Sequence, residues 1–379
     1  MNQESRIRCN SASHQLMICA VAIGLVFAVV DASAADVKIP QLQAAAAKGN
    51  VSQEIELAGA YFVGRGVPRD LKMAAYWYEK AAGGGDAEAQ NEIGYFYQTG
   101  IGVPADPVRA FHWYQLAASS GLATAKVNLG VAYLWGNGVA EDKSLAFQFF
   151  HEAASKGSGA AATYLGILYY YGQGVNLDKL AAETWFETGV KLHDPVAAYN
   201  LGVLFYNVDD HPHDYPKAAK LLRESATAGY VPAMHVLGVL LIKHPELAKS
   251  PQEARTSLEN AASLGSWKAS IVLGVLARDG NGVPVDPATA YYHFQVAMLQ
   301  GGEAAKKLLG LDMQRLSAKL AAEQMQKISS NADIWFQQRQ SALEVVYKDG
   351  KDGKRFPVWG RAVDDEGLHG GKLLPPPPA

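Results

Sequence analysis

Small and apolar residues recur along this chain with a period of 36 residues. Seven consecutive units, 51–86, 87–122, 123–158, 159–194, 195–230, 231–266 and 267–302, carry the pattern without insertion or deletion. In the first half of a unit, position three is alanine from the second unit on (Ala89, Ala125, Ala161, Ala197, Ala233, Ala269). Position seven is leucine or isoleucine (Leu57, Ile93, Leu129, Leu165, Leu201, Leu237, Leu273), and position eleven is aromatic in five units (Tyr61, Tyr97, Tyr133, Tyr169, Phe205). Steps of four place these side chains on one face of a helix. Position eight is small every time: Ala58, Gly94, Gly130, Gly166, Gly202, Gly238, Gly274. A paired helix can approach closely there, where a larger side chain would hold the backbones apart.

The second half of each unit predicts another helix. Five units end the first helix with Gly-x-Gly-Val, as in Gly100-Ile101-Gly102-Val103, and glycine adopts the left-handed helix-end conformation at no steric cost. An N-cap residue follows (Asp70, Asp106, Asp142, Asp178, Asp214, Ser250, Asp286), and Pro107, Pro251 and Pro287 stand as first helical residues. Next come an in-phase alanine (Ala74 to Ala290) and, in the early units, the aromatic pairs Trp77-Tyr78, Trp113-Tyr114, Phe149-Phe150 and Trp185-Phe186. Ala-Ala and a terminal glycine complete the unit, as in Ala117-Ala118 and Gly121. The fold expected is all-α, an α/α superhelical solenoid of seven helix hairpins. Residues 35–50 form a lead-in and half repeat, since Ala45, Ala46 and Gly49 fall in register with Ala81, Ala82 and Gly85. Residues from Glu303 to about Gln326 continue helically but leave the repeat, and 303–345 is expected to cap the last apolar face.

Units such as AEAQNEIGYFYQTGIGVPADPVRAFHWYQLAASSG resemble the Sel1-like repeat, a relative of the tetratricopeptide repeat. The resemblance spans about 41–302, and Leu316-Ser317 and Trp335 are similar to the family's closing helix. It implies a superhelix with a concave inner surface and a non-enzymatic scaffold or adaptor role, often in bacterial envelope assembly, signalling or host interaction. It also implies two alternatives: a periplasmic regulator of a membrane sensor kinase, and a cell-wall or penicillin-binding hydrolase. The latter goes with cysteine-rich relatives carrying a disulfide in each repeat, a pattern this chain departs from.

Composition changes the picture at the two ends. Arg6 and Arg8, the uncharged apolar run from Leu16 to Val30, and Ala32-Ser33-Ala34 read as a secretory signal cleaved near Ala34. The run is shorter than the roughly 20 residues of a membrane span, so a periplasmic or secreted product is expected, with no integral span after processing. Both cysteines, Cys9 and Cys19, fall inside that segment, leaving the mature chain without thiols in an oxidising compartment. Residues 346–379, rich in Gly and Lys and ending in Pro375 to Pro378, read as a disordered tail. A net charge of −3, from 34 basic and 37 acidic residues, gives no nucleic-acid footprint.

Candidate chemistry is sparse. No nucleophile elbow or phosphate loop stands out, and no catalytic residue, cofactor or metal is assigned. Asp209, Asp210, His211, His213 and Asp214 cluster in the connector of unit five without a standard ligand spacing, and read as a solvated turn. His112 and His293 read as packing residues. At 100° per residue, positions five, nine and twelve point away from position seven, toward the inner surface. From unit three onward that row is apolar and aromatic. The residues expected to bind a partner helix or peptide there are Tyr95, Val131, Leu134, Ile167, Tyr170, Tyr199, Val203, Tyr206, Val239 and Ile242.

Overall fold

The computed structural model describes residues 39–207 and 213–349. The expected signal segment, most of the expected tail, and Asp209, Asp210 and His211 lie outside the described residues. Every regular element among the described residues is helical. The half repeat supplies α1 (Ile39–Ala46). Each unit then supplies two helices: α2 (Val51–Val63) and α3 (Leu71–Gly83); α4 (Ala87–Thr99) and α5 (Pro107–Ser119); α6 (Ala123–Trp135) and α7 (Lys143–Ser155); α8 (Gly159–Tyr171) and α9 (Lys179–Lys191). The series continues with α10 (Pro195–Asn207) and α11 (Tyr215–Thr227), α12 (Val231–Lys243) and α13 (Glu253–Ser263), and α14 (Trp267–Asp279) and α15 (Pro287–Ser317). Last comes α16 (Ala322–Asp349), which runs past the boundary expected at 346. The chain has the α/α solenoid fold. Among the described residues, one compact unit contains 39–182 and a second contains 183–332.

Local chemistry explains the helix ends. The side chain of Asp106 accepts from Arg109 N at 3.0 Å, and Asp70, Asp142, Asp178, Asp214 and Asp286 cap their helices in the same way. Gly100 ends α4 with φ 75, and its N–H donates to Phe96 O. Two residues on, Gly102 lies so close to the Leu71 carbonyl that any side chain would collide with it. The connector of one hairpin thus rests on the start of the second helix of the hairpin before it.

First helices have caps of their own, at the last position of the preceding unit. Asn50, Asp86, Ser158, Asp194 and Ser266 each accept from the new helix. This polar position was in phase and readable in the sequence. Asp286 accepts from Ala288 N and Thr289 N and from the Thr289 hydroxyl, and these bonds hold its carboxyl below the usual range. Asp286→Ala is expected to cost about 1 kcal/mol, and a denaturation curve unchanged by the substitution would refute that role.

Unit six requires a correction. Neither Ser250 as N-cap nor Pro251 as first helical residue holds. A short 3-10 turn, Pro245–Leu247, replaces the glycine connector, 251 and 252 form a turn, and α13 begins at Glu253 with no side-chain cap. Without Gly-x-Gly the chain cannot make the left-handed exit, and His244 leaves α12 at φ −129.

Five hairpins close around the same crossing. A Cβ placed on Gly94 would lie 2.7 Å from Tyr114 Cε1; on Gly130, 2.5 Å from Phe150 Cε1; on Gly202, 2.9 Å from Leu222 Cγ; on Gly238, 2.5 Å from Leu258 Cγ. Gly274 meets Phe294 in the same way. The partner always stands twenty residues on, at position twenty-eight. In the aromatic pairs it is the second member, and Tyr78, Tyr114, Phe150 and Phe294 are fully buried. The glycine is a notch for that side chain.

Candidate partner-binding surface

The inner row of first-helix residues is not an open surface. Val131, Leu134, Ile167 and Tyr170 in the first compact unit, and Tyr199, Val203 and Tyr206 in the second, are no more than 7% exposed. Tyr95, Val239 and Ile242 are half-buried. This corrects the expectation of an exposed apolar groove along all ten. The reason is that a first helix has neighbours on more than one side. In the first compact unit Asn128 Nδ2 of α6 donates to Asn91 Oδ1 of α4 at 2.8 Å. Phe150 of α7 stacks on Tyr164 of α8 with centroids 4.5 Å apart. In the second compact unit Tyr199 and Tyr230 meet edge-on at 5.1 Å. A helix that is apolar all round, as α8 is, packs on all sides. Burial raises the Tyr170 and Tyr199 phenols and holds the His235 imidazole down to about 4, with Lys268 adding to the latter.

Gly166 is buried on α8. The histidines divide. His112 is exposed on the outer face of α5, which corrects its reading as a packing residue, whereas His293 is half-buried and held down to about 4, chiefly by burial. His213 Nδ1 lies 3.3 Å from Tyr215 Oη, and Tyr215 stacks on His244 at 4.0 Å. Among the described residues no group of three His, Cys, Asp or Glu is placed to hold a metal.

A second feature escaped the sequence reading, a side-chain link between neighbouring hairpins. Position twenty-nine of one unit and position twenty-three of the next meet across the ring at position eleven. Tyr97 donates to Glu79 Oε1 at 2.9 Å, and Arg109 donates to the Tyr97 hydroxyl at 2.8 Å. In the second compact unit Lys217 lies 3.9 Å from the Phe205 ring and 3.4 Å from Glu187 Oε1. One unit later, where position eleven is Leu241 and no ring intervenes, the charges are reversed: Arg223 at twenty-nine grips Glu253 at twenty-three, at 2.6 and 3.2 Å. Desolvation pushes the Glu253 carboxyl up, but hydrogen bonds from Arg223 and Lys249 N outweigh it and hold the group below its usual value. The signal was a complementary charge pair thirty residues apart. Arg223→Met is expected to cost about 1–2 kcal/mol, with partial recovery when Glu253→Met is added. A loss within experimental error from the single change would remove the link from the account.

The family follows from this geometry and a direct match. A Sel1 repeat model fits residues 54–86, 87–122, 123–158, 159–194, 195–230 and 267–302, more than half of the chain. The chain belongs to the Sel1 repeat family. The hairpin at 231–266, with its altered connector, falls outside the matched segments. A Sel1 repeat protein from Oxalobacter formigenes is 30% identical, with a TM-score of 0.52 over 58% of this chain and 90% of that one. A protective antigen of uropathogenic Escherichia coli strains, itself with an SLR fold, is 21% identical, with a TM-score of 0.30 over 85% of this chain and 88% of that one. No curated protein matched. Sel1 repeat proteins generally mediate protein–protein interactions, and the family is typically a non-catalytic scaffold.

Proposed function

We propose that this Sel1 repeat protein is a non-enzymatic scaffold of the bacterial envelope that holds other proteins. The observation that supports this most is the repeat itself. Hairpins in phase within each compact unit present side chains at repeated positions, as this architecture does in binding proteins. The envelope assignment rests on the amino-terminal pattern of Arg6, Arg8 and the Leu16 to Val30 run. Among the described residues no helix is long and apolar enough to cross a membrane.

The partner is taken up by side chains that the hairpins leave accessible, rather than by the buried row. On the inner side of the first compact unit these include Tyr95 and Gln98, both half-buried. A photo-crosslinking amino acid in place of Tyr95 in living cells is expected to trap one or a few defined envelope proteins. Loss of those adducts with Gln98→Arg would place the contact. A ladder of adducts identical to that from an outer-face position such as His112 would sink the reading. Protease protection in intact cells, lost when the outer membrane is permeabilised, would support the location; protection that persists until the inner membrane is broken would overturn it.

A further inference from the structure

The repeat does not stop at 302. Counting on from Glu303, position three is Ala305, position seven is Leu309 and position eight is Gly310. Ala305 and Leu309 are buried, as their counterparts are in earlier units. The chain turns at Gly302 (φ 53, ψ −134), and residues 303–317 then form the first helix of an eighth hairpin. The expectation that the chain leaves the repeat at 303 is corrected.

The helix that follows, α16, leaves the notch of that hairpin open. Five in-phase glycines meet a large side chain at the crossing, but Gly310 has nothing within 4 Å and is exposed. Position four is buried in units two, four, five and seven (Gln90, Ala162, Ala198, Ser270), yet its counterpart Lys306 is exposed. Leu311, at position nine, is 70% exposed, and Leu308 is 65% exposed. The residue at position twenty-eight would be Ser330, which is exposed and fills no notch. α16 contacts unit seven, where Gln295 Nε2 donates to Ser329 Oγ at 3.2 Å, and its Met325 and Ile328 pack on the core cluster that also holds Leu309 and Leu316. A glycine inside an exposed helix weakens it relative to alanine, and nothing within the described chain offsets that loss.

We propose that the vacant second-helix place along Lys306, Gly310 and Leu311 receives an amphipathic helix from a partner protein. The face continues the interface that closes each hairpin, so the occupant follows from that interface. It carries alanine, then a large apolar side chain four residues on, then alanine three residues after that, as Ala110, Tyr114 and Ala117 do. The large side chain enters the notch at Gly310 and its flank covers Leu311. Lys306 pairs with Glu303 at 2.8 Å, and Lys307 on the same exposed face favours a helix with an acidic flank. A second copy of this chain has its own second helices engaged. The remaining carboxyl-terminal residues offer no such pattern, because Phe356, Val358 and Trp359 surround Pro357, which breaks a helix.

This proposal rests on the scaffold reading but tests a different surface from Tyr95. The probe is a fluorescent synthetic peptide copying residues 286–301, with Phe294 at its centre, titrated with the full chain. Saturable binding is expected, weak and on the order of 0.1 mM because the free peptide must order as a helix. Gly310→Leu or Leu311→Asp in the protein, or Phe294→Ala in the peptide, is expected to weaken it at least tenfold, while Tyr95→Ala leaves it unchanged. Circular dichroism shows that the variants keep their helices. No saturable binding at millimolar concentration, or binding indifferent to Gly310→Leu, overturns the proposal. Binding here with no adducts at Tyr95 would leave this site standing and remove the Tyr95 surface.

Discussion

Alanine at Gly130 is expected to lower the melting temperature, and alanine at Gly310 to raise it. Both glycines occupy position eight of the same repeat, so helix propensity favours the change equally, by up to about 1 kcal/mol. The surroundings decide the sign. At Gly130 the new Cβ would stand 2.5, 2.8 and 2.9 Å from three carbons of the Phe150 ring. That ring is fully buried and stacked on Tyr164 with an interplanar angle of 4°, so it has nowhere to retreat. Overpacking of this kind costs about 1–3 kcal/mol, which exceeds the propensity gain, and Gly130→Leu should be worse. At Gly310 the Cβ meets open space. Parallel thermal melts check the pair, and shifts of the same sign would show that position eight is not a notch.

Glu92→Gln is expected to stabilise the protein at pH 8.5 and to have little effect near pH 4.5. Glu92 stands at position six of α4, buried, and its Oε2 has no hydrogen-bond partner among the described residues. Burial pushes its carboxyl up to about 8; a side-chain hydrogen bond with Asn91 opposes this, and Glu88 on the same helix adds to it. Tyr78 from α3 and Tyr114 from α5 lie near enough for its charge to raise their phenols further, after desolvation. Between pH 4.5 and about 8 the folded chain keeps a proton that the unfolded chain has released. Stability from this group is therefore whole below the unfolded value, declines as pH rises and levels off above the folded value. The difference between wild type and Glu92→Gln isolates the group, since other carboxylates cancel. A gap of a few kcal/mol should open across that window. Parallel pH profiles would refute it.

The hairpins were legible because their determinants are local. Glycine exits, aspartate caps and apolar steps of four each act within one unit, and the structure places α2 to α14 in the units drawn from them, while α15 runs on past 302 to Ser317. The crossing was half legible: position eight was read as a close approach, while its partner stood unnoticed at the second ring of each aromatic pair. The inner row was misread for a physical reason. A helical projection tells which side chains share a face, but not how many neighbours cover it. The sequence of α8, GAAATYLGILYYY, has no polar face at all, which argues for burial on every side. Unit six failed differently, because proline after a polar residue suggested a helix start where the chain instead makes a turn.

The reversed charge pair between units five and six bears on how the chain assembles in order. Modules built to one pattern invite a mistake in which one is skipped and its neighbours join directly. Without unit five, Glu187 would confront Glu253, acid against acid, in place of Lys217 and Arg223 at their proper stations. The polarity switch is thus a proofreading mark that makes an omission repel itself.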